Sequence, residues 1–118
     1  MSMARKALMV LPALFSVAAV AADYPDRPVR LVVPFPPGGG TDYLARTVGQ
    51  KLGERLGQQF VIDNRPGGGG IAATEMIARA NADGYTLLLS FNGQLAASPH
   101  LEKVTYDAAR DFAAVSMI

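Results

Sequence analysis

Residues 29–42 read V-R-L-V-V-P-F-P-P-G-G-G-T-D. An apolar, β-favouring run through Leu31, Val32 and Val33 breaks at prolines. Three glycines follow, then a hydroxyl and a carboxylate, and after them a helical pattern. That is the order strand, tight loop, helix start. The first turn of a helix carries N–H groups without intrahelical partners, together with the positive end of the helix dipole. Glycines let such groups approach a ligand closely, so residues 38–41 read as an anion cradle made of backbone, suited to a carboxylate or a phosphate. The plainer reading is a strand–helix turn in which Thr41 or Asp42 serves only as N-cap.

Beyond this loop, Leu44, Ala45, Val48, Leu52 and Leu56 recur at three- and four-residue spacing. They predict a helix with these residues as its buried face and Arg46, Gln50, Lys51 and Arg55 mostly opposite. Gly49 and Gly53 weaken that helix by about 1 kcal/mol each relative to alanine, and Gly57 stops it. Phe60, Val61 and Ile62 predict a second strand, ending at Asp63-Asn64-Arg65-Pro66 and the glycines 67–70. Residues 71–80 predict a second helix that buries Ala73, Met76, Ile77 and Ala80, and residues 81–84 a turn. Residues 85–89 predict a third strand leading to Ser90, Phe91, Asn92 and Gly93. Residues 99–107 read as irregular, and 112–118 as a fourth strand or its approach. The fold class is α/β. Strands alternating with helices pair in parallel through right-handed crossovers. Ligands of open parallel sheets bind beyond the carboxyl ends of the strands. The loops 34–41, 65–70 and 90–93 all leave such ends, so the topology brings them to one edge.

Towards the amino terminus, Arg5 and Lys6 precede an apolar stretch, residues 7–20, interrupted only by Pro12 and Ser16. Ala19-Val20-Ala21, or Val20-Ala21-Ala22, supplies the small-x-small pattern of a cleavage site. About 14 apolar residues suit a secretory signal better than a membrane span of about 20. Residues 1–22 are therefore expected to be an export signal and residues 23–118 the working domain. Without Arg5 and Lys6, nine basic side chains face ten acidic ones. No basic face for nucleic acid is left. The chain has no cysteine, hence no disulfide framework and no thiolate metal site.

Other motifs are weaker. Gly67-x-Gly69-x-x-Ala72 fits a loose dinucleotide fingerprint, yet Leu87 to Ser90 offers no carboxylate about 20 residues on. No Lys-Ser or Lys-Thr pair follows either glycine run, so a nucleotide- or phosphate-binding enzyme is the minor alternative. His100 is the only histidine and cannot build a common zinc site alone. Ser90 and Ser98 lack the nucleophile-elbow pattern. Asp63 reads as a strand-end partner of Arg65 rather than a general base. Phe35 and Phe91 stand at strand ends, as core or rim residues or as an aromatic wall against an organic ligand.

The phrases Y-P-D-R-P-V-R-L-V-V-P-F-P-P-G-G-G-T-D (24–42), N-R-P-G-G-G-G (64–70), D-G-Y-T-L-L-L (83–89) and S-P-H-L…Y-D…R-D-F-A-A-V (98–115) occur in order along the chain. Together they resemble the amino-terminal part of Bug-type substrate-binding proteins of tripartite tricarboxylate transporters. The resemblance implies a periplasmic, two-lobed binding protein that closes over a small carboxylate and delivers it to membrane permease subunits. It implies no enzymatic activity, no cofactor, no metal and no nucleic-acid partner. Carried over by motif, it implies a ligand loop of Phe35, Gly38, Gly39, Gly40, Thr41 and Asp42, with Gly69 and Gly70 at the adjacent helix start and Ser90 and Asn92 lining the cleft. Full-length members continue well beyond the position of Ile118. The resemblance thus implies that residues 23–118 are part of the first lobe of a truncated member, the alternative being a fragment without function of its own.

Overall fold

The computed structural model describes residues 23–118; the export signal expected over 1–22 lies outside the described residues. The elements are β1 (Val29–Val33), α1 (Gly40–Leu56), β2 (Phe60–Asn64), a 3-10 turn (Gly68–Gly70), α2 (Ile71–Ala78), β3 (Thr86–Leu88), a wide π-type turn (Gly93–Ala97) and α3 (Ser98–Leu101). The three strands form one parallel sheet in the order β2-β1-β3. Leu31 stands opposite Ile62 on one side and Leu87 on the other. The α/β class and the parallel pairing are as the alternation predicts.

β1 is the central strand, and its residues show it. Val29, Val32 and Val33 are fully buried, as expected of a strand covered on both faces. The chain leaves β1 to one side through α1 and returns past it through α2 to β3. Right-handed crossovers then place the two helices on opposite faces. Leu31, Val33 and Ala45 form the core on the α1 face, with Phe35, Ile62, Leu87 and Leu89 packed around them.

The seat of α1 corrects the periodicity reading. The residues pressed on the sheet are Asp42, Ala45 and Gly49, whereas Leu44 and Leu56 are exposed and Val48 and Leu52 half-buried. The reason is proximity. A Cβ added at Gly49 would lie 3.1 Å from Ile62 Cδ1 and 3.3 Å from Phe60 Cβ. Small residues let the helix axis come close to β2, and the leucines are left flanking the contact line. Gly49, read from sequence as a helix-weakening residue, is a packing contact. Gly57 ends the helix in the left-handed conformation, its N–H donating to Gly53 O at 2.9 Å.

Three further differences concern boundaries. α2 stops at Ala78, Ala73 and Thr74 are its buried residues, and Ala80 is exposed. Residues 98–101 are helical, inside a stretch expected to be irregular. No strand occurs over 112–118; among the described residues nothing pairs with that segment.

Gly49→Val should force α1 off β2. Overpacking of this kind costs about 1–3 kcal/mol, and urea unfolding followed by circular dichroism should show it as a lower midpoint with an unchanged slope.

Candidate functional site

The carboxyl ends of the three strands open on one edge of the sheet, and side chains tie the three loops there into one surface. The first tie is Asp42, in the first turn of α1. Gly39 is the N-cap, in extended conformation and without a side-chain cap, so neither Thr41 nor Asp42 caps the helix from outside. Instead the Asp42 carboxylate reaches back. Its Oδ2 accepts from the Gly38 N–H at 3.0 Å and from Arg46 Nε at 2.9 Å, and its Oδ1 accepts from Asn64 Nδ2 at 3.1 Å. Asn64, the last residue of β2, also donates to the Phe35 carbonyl at 3.1 Å. One side chain thereby joins the loop after β1, the head of α1 and the end of β2.

Hydrogen bonds to the charged form stabilise it. The Arg46 guanidinium, then the Gly38 N–H, hold the Asp42 carboxyl down from its ordinary value of 3.8 to about 2, against a smaller opposing effect of burial. At neutral pH Asp42 is an anion whose negative charge is already met by Arg46.

The Gly38 N–H is spent on this bond. The N–H groups of Gly39, Gly40 and Thr41 make no hydrogen bond among the described residues, and Tyr43 is the first helical residue whose N–H is paired, to Gly39 O at 3.0 Å. Gly39 and Gly40 are exposed and Thr41 half-exposed. Unpaired donors in exposed or half-exposed residues thus stand at the positive end of a 17-residue helix.

The other sequence-predicted residues occupy the same edge. Phe35 and Phe91 meet edge to face, ring centroids 5.5 Å apart. Gly69 and Gly70 lie in the turn before α2, and Gly70 is buried. Ser90 and Asn92 flank Phe91 after β3; Ser90 is half-buried and Asn92 exposed. A hollow of about 280 Å³ beside the glycine turn is lined by Asn64, Arg65, Pro66, Ala72, Ala73 and Met76. A second, of about 310 Å³, lies away from this edge between α1 and β2. Asp63 is engaged by Arg65 and also by Arg30, whose Nε is 2.7 Å from Oδ2, so it is an ion-pair partner. His100 is exposed, and the described residues hold no cluster of His, Asp and Glu fit for a metal.

Sequence reasoning missed two members of this edge. From the sequence Asn64 reads only as a strand end. Gln94 is 3% exposed; its Nε2 donates to Gly69 O at 2.7 Å and its Oε1 accepts from the Phe91 N–H at 3.0 Å. The legible signal was a glutamine three residues after a strand-end residue, the spacing of half a capping box.

Comparison with known proteins yields a coherent set. The family model described as "Tripartite tricarboxylate transporter family receptor" matches residues 44–118. Protein BugT of Bordetella pertussis is 46% identical over 104 residues, covering 86% of this chain and 32% of BugT. MatC from Rhodopseudomonas palustris, solved with bound malate, is 39% identical with a TM-score of 0.71, over 75% of this chain and 31% of MatC. An R. palustris protein solved with adipate is 51% identical with a TM-score of 0.59, over 60% of this chain and 24% of that one. The chain spans about a third of the length of the curated relatives it matches.

The depressed Asp42 carboxyl has a consequence for acid stability. A folded-state value below the unfolded one adds stability that is present above the unfolded value, near 3.8, and is lost as pH falls towards about 2. Asp42→Asn should lower stability at pH 7 and lose less between pH 4 and pH 2 than the parent. Urea midpoints measured across that window check both.

Proposed function

This chain belongs to the tripartite tricarboxylate transporter receptor family, and on that premise we propose that it binds a small organic carboxylate at the sheet edge formed by the three loops. The family is one of solute-binding receptors of the periplasm rather than enzymes. The proposal extends to its surroundings: export directed by residues 1–22, a first-lobe segment over residues 23–118, and delivery of the ligand to membrane permease subunits.

The observation that carries the reading is the set of unpaired N–H groups on the exposed or half-exposed Gly39, Gly40 and Thr41 beside an Asp42 already neutralised by Arg46. A carboxylate leaving water needs donors in its place, and donors already oriented cost little to organise. Thr41 adds a hydroxyl. Gly69, Gly70, Ser90 and Asn92 stand on the neighbouring loops, and Phe35 offers apolar surface for the hydrocarbon part. Malate and adipate, the acids solved with two similar proteins, support a small carboxylate as the ligand class. Nothing in this arrangement calls for a metal or a cofactor.

Amide NMR titration of the protein with millimolar malate or adipate tests the site. The Gly39, Gly40 and Thr41 signals should move together and saturably. Gly39 has extended dihedrals and no atom within 4 Å of an added Cβ, so Gly39→Val should keep the fold while covering the donors and abolishing the shifts. Thr41→Val should weaken binding by about 0.5–1.5 kcal/mol, and His100→Ala should leave it unchanged. Unaltered shifts in Gly39→Val would sink the reading.

A further inference from the structure

We propose that Gln94 is a positioning residue: its buried carboxamide, bridging the glycine turn after β2 and the turn after β3, holds Phe91 against Phe35 and so sets the apolar wall of the carboxylate site. The inference rests on the site reading above and adds to it a source of selectivity for the ligand's chain.

A buried carboxamide is costly unless both its ends are paired. Here each end serves a different loop. Nε2 donates to Gly69 O at 2.7 Å, and Oε1 accepts from the Phe91 N–H at 3.0 Å. The backbone returns the contact, because the Gln94 N–H donates to Phe91 O at 3.2 Å. Phe91 is thus gripped at both its N–H and its carbonyl by one residue. Gln94 is itself held, since the buried Tyr106 hydroxyl donates to its carbonyl.

The space for the carboxamide is reserved. A Cβ on Gly70 would lie 2.6 Å from Gln94 Nε2 and 3.0 Å from Pro34 Cβ. Gly70 also has φ +91°, a conformation that side-chain-bearing residues avoid. The glycine at the end of the turn admits Gln94 as well as turning the chain.

From Gln94 the constraint runs to the head of α1. The Phe91 ring meets the Phe35 ring edge-on at 5.5 Å and 78°. The Phe35 carbonyl is held by the same Asn64 amide that holds Asp42. Phe91 is 42% exposed and Phe35 half-exposed, so the pair presents apolar surface at the edge that carries the free N–H groups. The ligand class that gains from such a wall is a carboxylate with a hydrocarbon chain. A bare acetate gains little.

The test compares adipate with acetate on the parent protein, on Gln94→Met, which keeps the volume and drops both hydrogen bonds, and on Phe91→Ala, an exposed change that spares the core. Amide NMR reports affinity, and ring-to-ring NOEs report the Phe35–Phe91 contact. Gln94→Met should lose the NOEs. In both variants adipate affinity should fall several-fold to about tenfold, with the acetate shifts at Gly39–Thr41 unchanged. An adipate-to-acetate ratio that stays at the parental value in folded Gln94→Met overturns the proposal. So does an unchanged ratio in Phe91→Ala, which decides the matter if Gln94→Met fails to fold. If neither acid moves the Gly39–Thr41 amides of the parent, the site reading itself fails and this inference falls with it.

Discussion

The carboxylate of Asp42 is consumed by its own chain, and the geometry of the loop edge depends on that. A negative side chain in the first turn of a helix is favoured by the helix dipole, but it repels any anion brought to the same turn. The structure removes the conflict by turning the carboxylate inward. It takes the Gly38 N–H, the Arg46 guanidinium and the Asn64 amide. One donor of the glycine loop is lost to this bond, and the N–H groups of Gly39, Gly40 and Thr41 stay unpaired among the described residues. The same bonds set the distance between the end of β2 and the start of α1, because Asn64 reaches Asp42 and Phe35 together.

Parallel pairing explains why these groups can meet at all. Every strand of the sheet points the same way, so every loop that follows a strand emerges on one side. With β1 in the middle, its loop is flanked by the other two. Adjacency alone leaves loops loose, and here specific bonds draw them together: Asn64 from β2 to Phe35 and Asp42, Gln94 between the β2 and β3 loops, and the contact of the two phenylalanine rings. At this edge the charged side chains of Asp42 and Arg46 are engaged with each other, and the unpaired groups are backbone N–H groups. That division suits a family whose similar members are solved with acids as different as malate and adipate.

The opposite end of the sheet is organised by aromatic and ionic contacts. Tyr24 donates to Gly84 O at 2.6 Å, Tyr85 donates to Asp26 at 2.6 Å, and the Arg27 guanidinium lies 3.7 Å over the Tyr85 ring. These contacts pin the lead-in segment to the turn before β3. They hold residues 24–27 at the end of the sheet away from the loop edge.

What the sequence alone determined is the order of elements and the edge on which function is sought. Valine-rich β1, the Pro-Gly loop and the spacing of apolar residues after Asp42 are local signals. They suffice for β-α-β-α-β, for parallel pairing and for the convergence of residues 34–41, 65–70 and 90–93. The family likeness was legible from the same phrases. Tertiary structure decided the rest, because the deciding contacts join residues far apart in the chain. Leu44 and Leu56 satisfy the helical period, yet the face that lies down belongs to Ala45 and Gly49, since only small residues let α1 approach Phe60 and Ile62. Arg46, four residues on, meets the charge of Asp42 locally, but the tie from that carboxylate to the end of β2 turns on Asn64, 22 residues away. Gln94 is an ordinary polar residue in the sequence, and it becomes a bridge only when Gly69, 25 residues earlier, is folded against it. Local propensity fixes what each segment becomes, whereas a buried polar group takes its role from whichever partner the packing of the whole sheet brings within hydrogen-bonding distance.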